Sequence, residues 1–325
     1  MADYDLFNGD ADGIFSLLQL RQTDPRPHAE RITGVKRDIK LFPQIAGKAG
    51  VGDRVTALDI SMAKNADGLR KVLSDGADVL YIDHHQTGDV PEADNLTVLT
   101  DQAKETCTAY LVDQHLDGAK SAWAVCGAYG DNFQGLAQRI ATQRELELPM
   151  GRLRKLGELV NYNAYGTTID DLHIHPSDLF ALLLEYPGPV EFLDDRHPVF
   201  VQLRDGYDSD WDVAQNAREL AISDAGQVLA LPVGPASNRI SGLFGNALVD
   251  EDPDQAFAVL TELPNGTHYR VSIRAPRVNK TASAADLAVK FGGGGRSAAA
   301  GIDDLSERDL SSFIEEFQKA FSASG

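Results

Sequence analysis

Four groups of acidic and histidine side chains are the residues of this sequence whose types and spacing are best suited to chemistry. They are Asp10 with Asp12, Asp59, the triplet Asp83, His84 and His85, and Asp131. Three of the four groups come directly after an apolar run that predicts a β-strand. Because the carboxyl ends of strands in an open α/β sheet converge on one crevice, we expect these side chains to meet there. Carboxylates brought so close need a cation to relieve their repulsion, so the pattern predicts a site for divalent metal.

The triplet of Asp83, His84 and His85 is the most specific of these signals, because it follows the apolar run 79–82. One imidazole can bind metal and the other can contact substrate, while Asp83 can orient its neighbour. Taken alone, the Asp10 and Asp12 pair is equally typical of a turn, and Asp59 of a helix cap. A ligand set that is mostly oxygen with one or two nitrogens favours Mn²⁺ or Mg²⁺ over structural zinc.

Strands alternate with helices along the first part of the chain. The predicted strands are 4–8, 31–36, 55–58, 79–82 and 122–126, and the predicted helices are 13–21, 65–74 and 105–116, followed by a largely helical stretch over 133–185. This alternation predicts βαβ units and a mainly parallel sheet. The pattern restarts near residue 226, with predicted strands at 228–233, 257–260 and 269–273 and predicted helices at 239–248, 282–291 and 306–321.

A chain of 325 residues is long enough for two domains. We predict an α/β protein with a larger parallel-sheet, metal-binding domain over 1–190 and a smaller α/β domain over 226–325. The stretch 191–225, with a helix near 211–221, would link them. We expect the active site in the cleft between the domains, where the linker would allow closure on substrate.

The composition of the chain limits the classes of molecule that it could bind and the compartment in which we expect it. The formal net charge of −19 argues against broad electrostatic attraction to nucleic acid or to an anionic membrane. The two cysteines, Cys107 and Cys126, form no metal-type pair and are typical of a reduced interior. The acidic N-terminus does not resemble a signal peptide, and no apolar run is long enough to span a bilayer. We therefore expect a cytoplasmic protein without a membrane segment.

The motifs resemble those of the DHH phosphoesterase superfamily. This superfamily includes RecJ-like exonucleases, oligonucleotide and cyclic-dinucleotide phosphodiesterases, exopolyphosphatases and family II inorganic pyrophosphatases. Its signature of Asp-x-Asp, a lone Asp, Asp-His-His and a later Asp is present here in that order. The segment 291–301, with four consecutive glycines followed by Arg296, is similar to the substrate-binding motif of the associated DHHA1 domain. The resemblance therefore covers both predicted domains.

The resemblance implies a two-metal centre. Asp10 and Asp59 would bind the first ion, and the second ion would be bound by Asp12, Asp59, His84 and Asp131. A water shared by the two ions would attack phosphorus in line. His85 would contact the scissile phosphate. The glycine run would let backbone amides approach a phosphate closely, at Gly293, Gly294 and Gly295.

Two positions depart from the family at the first metal site. Many members carry a metal-binding histidine four residues before the first Asp, where this chain has Leu6. Asn8 occupies a position that is a ligand in some RecJ-like members, and its amide oxygen is a weaker ligand than an imidazole or a carboxylate. The first metal site is therefore expected to differ from that of the family.

Several basic and aromatic residues are candidates for contact with substrate. Arg296 stands where the family usually has a histidine, and an arginine binds phosphate bidentately without titrating. Arg274 follows a predicted strand, where the family tends to place a phosphate-binding arginine. Lys36 and Arg37 would either bind a substrate phosphate or form a solvated turn. Tyr162 and Tyr165, within the helical stretch, would either stack on a base or pack.

We predict Mn²⁺-dependent hydrolysis of a phosphate ester, with two ions and with Mg²⁺ or Co²⁺ as alternative metals. The favoured substrate is a short single-stranded oligonucleotide or a nucleotide-type molecule attacked from an end. Three alternatives stay open, namely an exopolyphosphatase or pyrophosphatase-like enzyme, a nucleotide-binding sensor with a degenerate metal site, and a subunit of a larger DNA-processing assembly. Whether the chain forms a homodimer is also open.

Overall fold

The computed structural model describes residues 1–103, 105–278 and 282–322. It divides into two compact units, Met1–Arg204 and Asp205–Gly325, here called the N-terminal and C-terminal units. Each unit contains helices and its own β-sheet, which confirms the predicted α/β fold class. The division falls inside helix α9 (Pro198–Gln215), which occupies about half of the stretch 191–225 predicted as a linker.

The sheet of the N-terminal unit is parallel, with the strand order β2-β1-β3-β4-β5. Its strands are β1 (Asp3–Phe7), β2 (Glu30–Ile32), β3 (Arg54–Leu58), β4 (Asp78–Asp83) and β5 (Leu96–Thr100). After β1 the chain adds β2 on one side and then crosses to β3 on the other. The order therefore reverses between β1 and β3, and the crevice beyond the carboxyl ends of two such strands is where an open α/β sheet binds ligands.

The apolar runs that predicted these strands are buried in the sheet. Residues without solvent exposure include Leu6, Phe7, Ala57, Leu58, Tyr81 and Ile82. Parallel strands that are covered on both faces read as continuous apolar runs rather than as alternating ones. This property made β1, β3 and β4 recognisable from the sequence, and it fixes the positions of the residues that follow them.

The helices of the N-terminal unit are α1 (Ala11–Thr23), α2 (Met62–Ser74), α3 (Thr108–His115), α4 (Ser121–Gly130), α5 (Gln134–Gln143), α6 (Met150–Asn163), α7 (Pro176–Leu184) and α8 (Pro189–Asp195). The predicted strand at 122–126 is wrong, because this segment lies inside α4. Trp123, Val125 and Cys126 are all fully buried. A helix that is buried on all sides has the same apolar composition as a buried strand, so composition alone could not separate the two.

The C-terminal unit contains a mixed sheet with the strand order β10-β11-β9-β8-β7-β6, in which only β7 and β8 pair in parallel among the described residues. Its strands are β6 (Arg218–Ser223), β7 (Gly226–Leu231), β8 (Ala256–Glu262), β9 (His268–Arg274), β10 (Gly294–Gly295) and β11 (Ala299–Ser306). Its further helices are α10 (Pro235–Glu251), α11 (Ala284–Lys290) and α12 (Leu310–Phe321). The predicted helix at 211–221 ends early, since β6 begins at Arg218.

The core of the C-terminal unit forms between this sheet and the last helices. Phe313, Phe317 and Phe321 recur along one face of α12 and are buried in the same cluster as residues of β7, β8 and β9. Both cysteines of the chain are buried in the N-terminal unit and unpaired. Within the described ranges, the structure has no helix with the length and apolar character needed to cross a bilayer.

Candidate metal centre

Strands β1, β3 and β4 bring three of the predicted acidic groups to one edge of the N-terminal sheet. Asp10 caps the N-terminus of α1, and its Oδ1 accepts a hydrogen bond from the backbone amide of Gly13 at 3.1 Å. Asp59 directly follows β3, and Asp83 is the last residue of β4. A side chain at Gly13 would place its Cβ 2.1 Å from the carbonyl oxygen of Asn8, so the tight turn after β1 requires glycine here.

Asp59 has an unusual backbone conformation. Its φ angle is 57°, in the left-handed region that non-glycine residues rarely adopt. The side chain is buried, and its Oδ1 accepts a hydrogen bond from the hydroxyl of Thr108 at 3.2 Å. Backbone strain of this kind persists where the surroundings fix a functional side chain. Burial first, and then the charges of Asp10 and Asp12, raise the pKa of Asp59 well above its ordinary value.

Asp12 is held by the N-terminus of α3. Its two carboxylate oxygens accept hydrogen bonds from the backbone amides of Thr108 and Ala109, both at 2.7 Å. The positive end of the helix dipole favours a carboxylate at this position. Even so, burial and then the charge of Asp131 raise the pKa of Asp12 to about 6. At Asp12, burial and the neighbouring carboxylate therefore outweigh the stabilising effect of the helix N-terminus.

His84 faces the carboxylates with its Nε2 atom. Its Nδ1 lies 3.0 Å from the carbonyl oxygen of Thr106, which only accepts, so Nδ1 carries the hydrogen. In the neutral ring, Nε2 therefore presents a lone pair. Carboxylate oxygens lie around it at 3.5 to 3.9 Å, from Asp12, Asp59 and Asp131. These distances are too long for hydrogen bonds, so the lone pair and the carboxylates need a cation between them.

These four residues fit a divalent cation. The ligand atoms of Asp12, His84 and Asp131 all lie within 4.8 Å of one another, and so do those of Asp59, His84 and His85. Oxygen and nitrogen atoms that bind one small ion at about 2.0–2.2 Å lie roughly 3–4 Å apart. The structure thus brings together the four residues that the resemblance implied for the second ion.

Asp131 reaches this centre from the C-terminal end of α4, where it caps the helix. Asp131 was predicted to follow a strand, but the preceding element is helix α4. Its side chain nevertheless lies at the predicted site. Its Oδ2 lies 3.5 Å from Nε2 of His84, and its Oδ1 lies 3.4 Å from Nζ of Lys36. The carboxylate of Asp131 therefore lies between an imidazole and an ammonium group.

His85 is oriented by Asp83. The Nδ1 atom of His85 lies 2.7 Å from Oδ1 of Asp83, whose side chain is fully buried at the end of β4. Burial lowers the pKa of His85, but the hydrogen bond and the charge of Asp83 outweigh it, so the pKa lies above its ordinary value. His85 is partly exposed, which leaves its ring accessible to a ligand.

Lys36 is engaged with the carboxylates. Its Nζ donates hydrogen bonds to Oδ2 of Asp10 at 2.5 Å and to Oδ1 of Asn161 at 2.9 Å. The ring centroid of Tyr165 lies 5.5 Å from the same Nζ. Burial lowers the pKa of Lys36, but the charge of Asp10 and the hydrogen bond to it outweigh burial and raise the pKa well above its ordinary value. The same ammonium group lowers the pKa of Asp10 against the effect of burial.

Asn161 and Thr108 are residues of the centre whose roles the sequence did not reveal. Asn161 lies on α6, and its contact with Lys36 joins positions 125 residues apart in the chain. Thr108 lies within the helix predicted over 105–116, and α3 begins at this residue. The backbone carbonyl of Thr106, which orients His84, has no side-chain signature that a sequence could carry.

Two other predicted residues lie near this edge. The side-chain oxygen of Asn8 is buried and has no hydrogen-bond partner within the described ranges. Arg37 is exposed and lines a pocket of about 640 Å³ together with Lys40 and Lys64. Three cationic side chains and one carboxylate, that of Asp38, line this pocket in a chain of net charge −19.

The predicted substrate residues of the C-terminal unit lie at the end of its sheet. Arg274, the last residue of β9, donates hydrogen bonds to the side chain of Asn246 at 2.6 Å and to the carbonyl of Gly242 at 3.0 Å. It lines a pocket of about 510 Å³ with Arg277 and Ser297. The two arginines place positive charge at this pocket, where Arg277 also forms an ion pair with Asp250 on α10.

The glycine run forms a turn and a short strand. Gly294 and Gly295 make up β10 and pair with β11, and a side chain at Gly293 would place its Cβ 2.2 Å from the carbonyl oxygen of Gly301. The amide of Gly293 donates a hydrogen bond to the carbonyl of Ala288 at 2.8 Å. The amide of Arg296 donates one to the carbonyl of Ala299 at 2.8 Å. Close backbone packing accounts for glycine at positions 293 and 295, and the contact of this run with a phosphate stays a prediction.

Comparison with known proteins gives matches at the level of structure. The chain is similar to exonuclease RecJ bound to manganese, with 13% identity, a TM-score of 0.63, and coverage of 100% of this chain and 91% of that one. It is similar to the pGpG-specific phosphodiesterase PggH from Vibrio cholerae, with 14% identity, a TM-score of 0.60 and 100% coverage of both chains. The sequence matches no protein-family model and no curated protein.

A third similar structure is a DHH-domain protein from a family of ribosomal proteins. It has 13% identity and a TM-score of 0.62, and the match covers 98% of this chain and 86% of that one. The chain therefore shares the fold of DHH-domain proteins, which is the fold that the motifs implied. At this level of identity the similarity is one of fold.

Proposed function

We propose that this protein is a divalent-metal-dependent phosphoesterase that hydrolyses phosphodiester bonds in short oligonucleotides or nucleotide-type substrates. The observation that carries the proposal is the environment of Nε2 of His84, a ring nitrogen that faces three carboxylates without a hydrogen bond. Such a set of one nitrogen and several oxygens is typical of Mn²⁺ and Mg²⁺ sites. The fold shared with RecJ and PggH supports the same conclusion.

The residues of the chain have separate roles in this proposal. Asp12, Asp59, His84 and Asp131 would hold the cation. When bound, a divalent ion lowers the pKa of a bound water and polarises a phosphoryl oxygen. The hydrogen bonds that Thr108 and Ala109 donate to Asp12 keep this ligand in one orientation. Preorganisation of the ligands in this way limits the reorganisation needed during reaction.

His85 would contact the scissile phosphate. The raised pKa of His85 favours the protonated ring, in which both ring nitrogens donate. One nitrogen is engaged by Asp83, and the other can donate to a non-bridging oxygen or to the leaving oxygen. Donation to an oxygen on which negative charge develops is worth more in the transition state than in the ground state.

Cationic side chains away from the metal ligands would bind the rest of the substrate. Arg37, with Lys40 and Lys64, would attract a phosphate in the N-terminal unit, and Arg274 and Arg296 would do so in the C-terminal unit. Such small local patches suit a short substrate, since the overall charge of −19 disfavours a long polyanion. The predicted partner is therefore a short single-stranded nucleic acid or a nucleotide.

A substrate panel tests the proposal. Purified protein is incubated with Mn²⁺ and with a linear dinucleotide, a longer single-stranded oligonucleotide, a cyclic dinucleotide, 3′-phosphoadenosine 5′-phosphate or polyphosphate, and the products are separated by chromatography. We expect turnover of the linear dinucleotide and its loss in Asp131→Asn. The control is Asp67→Asn, a fully exposed aspartate on α2. Release of phosphate from polyphosphate alone would overturn the phosphodiester assignment, and binding without turnover would indicate a sensor.

A further inference from the structure

Lys36 contacts a side of the carboxylate cluster that His84 does not contact. Its ammonium nitrogen lies 2.5 Å from Asp10, 2.9 Å from Asn161 and 3.4 Å from Asp131. An ammonium group has three hydrogens, and here three oxygen atoms surround it. A small cation bound at the same place would face the same three oxygens.

Asp131 divides its two oxygens between this ammonium and the candidate metal site. Oδ1 is directed to Lys36 and Oδ2 to His84. A carboxylate that bridges two metal ions has the same arrangement, with one oxygen for each ion. In this centre the second partner of the carboxylate is a side chain of the protein.

We propose that the ammonium group of Lys36 takes the place of one metal ion, so that the centre binds a single divalent cation beside a fixed positive charge. The inference rests on the metal centre proposed above and replaces the expectation of two ions. A second ion on Asp10 would need the carboxylate oxygen from which Nζ is 2.5 Å away. It would also be repelled by the ammonium at close range.

The residues around Asp10 support this assignment. Leu6, four residues before Asp10, is fully buried in the apolar core and offers no ligand atom. Asn161 offers an amide oxygen, which accepts a hydrogen bond from an ammonium well but binds a divalent ion less strongly than a carboxylate. Tyr165 presents its ring to Nζ, and an aromatic ring stabilises an organic cation.

The assignment gives Lys36 a positioning role. The ammonium group of Lys36, between Asp10 and Asp131, holds the carboxylate of Asp131 in place. It also offsets the charge of this carboxylate at any metal concentration. The ammonium would also stabilise negative charge on a phosphoryl group that approaches this side of the centre. Lys36, which was predicted to bind a substrate phosphate, would thus mainly position the carboxylates of Asp10 and Asp131.

Metal stoichiometry tests the proposal directly. Isothermal titration calorimetry with Mn²⁺, supported by electron paramagnetic resonance, is applied to the full chain, to Lys36→Ala and to Lys36→Met. We expect the unmodified protein to bind one Mn²⁺ with the spectrum of an isolated ion. Lys36→Ala frees three oxygens and is expected to bind a second, weaker Mn²⁺ and to show an exchange-coupled pair. Lys48→Ala, at an exposed lysine of the same unit, should behave as the unmodified protein.

The outcomes separate this proposal from the proposed function. Two Mn²⁺ ions in the unmodified protein, with an exchange-coupled spectrum, would overturn the role of Lys36 while leaving metal-dependent hydrolysis intact. A single ion in both the unmodified protein and Lys36→Ala would also overturn it. Failure of the unmodified protein to bind any Mn²⁺ would instead remove the metal centre itself. Because the first result needs no variant, the test holds even if a substitution at Lys36 impairs folding.

Discussion

The Nδ1 atom of His84 donates a hydrogen bond to the backbone carbonyl of Thr106 at 3.0 Å. This contact fixes the tautomer of the ring and leaves Nε2 for the carboxylates. Metal-binding histidines commonly have such a partner on the other ring nitrogen, because it sets the ring orientation and raises the basicity of the ligand. The backbone oxygen of Thr106, in the loop before α3, thus determines how the ring of His84 faces the carboxylates.

Substitution of His84 should remove metal binding. His84→Ala deletes the only nitrogen in the proposed ligand set and leaves its three carboxylates with greater mutual repulsion. We expect Mn²⁺ affinity to fall by at least roughly 100-fold, and hydrolysis at fixed Mn²⁺ to be lost. Calorimetric titration measures the first effect and product chromatography the second. His115→Ala, at the exposed end of α3, is the matched histidine control, and an equal loss in that variant would contradict the assignment.

Asp83 should affect turnover more than metal binding. Asp83→Asn keeps the shape of the side chain but removes the charge that orients His85. We expect kcat to fall roughly 10–100-fold, with Mn²⁺ stoichiometry unchanged. Steady-state kinetics and calorimetry measure the two quantities on the same sample. Asp78→Asn, at the exposed start of the same strand, controls for substitution in β4. If Asp83→Asn lost its metal instead, Asp83 would belong to the ligand set.

The stability of the metal-free protein should fall as pH rises. The pKa of Asp12 is raised from 3.8 to about 6 in the folded chain, and that of Asp59 is raised well above its ordinary value. Between pH 3.8 and about 6, Asp12 therefore binds more protons in the folded state than in the unfolded state. The free energy of unfolding decreases as the pH rises through this interval. Bound Mn²⁺ holds the carboxylates as anions and removes the penalty.

The measurement is thermal unfolding with and without Mn²⁺. We expect Mn²⁺ to raise the melting temperature more at about pH 8 than at about pH 5.5, because the carboxylates must be ionised to bind metal. The metal-free Asp12→Asn variant should lose part of the decline with pH. A stabilisation by Mn²⁺ that is equal at both pH values would contradict the predicted linkage.

A buried ion pair supports the strands that carry the site. The guanidinium of Arg21 on α1 binds both oxygens of Asp5 on β1 at 2.9 and 2.6 Å and also contacts Thr56 on β3. Asp5→Ala leaves the arginine buried without its partner, and we expect a loss of about 3–5 kcal/mol of unfolding free energy. Urea unfolding measures this loss. Asp5→Leu combined with Arg21→Met should recover much of it, and failure of both apolar residues to do so would indicate a cause other than the unpaired charge.

Arg274 should contribute to substrate affinity without affecting the metal. Arg274→Ala removes a cation from the pocket of the C-terminal unit, and we expect KM to rise roughly 10–100-fold, as for loss of a charge-assisted hydrogen bond. Mn²⁺ titration should be unchanged, since every proposed ligand is in the N-terminal unit. Arg308→Ala, an exposed arginine of the same unit, is the control. An unchanged KM for the best substrate would remove Arg274 from the substrate site.

The sequence predicted those parts of the fold that depend on local pattern. Continuous apolar runs identified β1, β3 and β4, and the residues that follow them could be placed at one edge because parallel strands share a direction. Helix α4 was predicted to be a strand because Trp123 and its neighbours are apolar on every side. Strand β5 was missed because its residues are only partly buried and carry little pattern.

The centre itself was predictable only in part. The types and order of Asp59, His84 and Asp131 were sufficient to predict that they lie together, and the cation that they would share stays a prediction. The contact of Lys36 with Asp10 and Asn161 joins three elements that are distant in the sequence, and a lysine in a turn is equally typical of a solvated surface. Which lysine enters a carboxylate cluster depends on tertiary structure, which a local pattern does not contain.

The central claim is that acidic residues and one imidazole of the N-terminal unit bind a divalent cation. Anomalous X-ray diffraction from crystals grown with Mn²⁺, recorded at the manganese absorption edge, tests it most directly. The account predicts one strong peak within bonding distance of Nε2 of His84 and of carboxylate oxygens of Asp12, Asp59 and Asp131, with Nζ of Lys36 on the far side of Asp131. Crystals at saturating Mn²⁺ without a peak at His84 would contradict it.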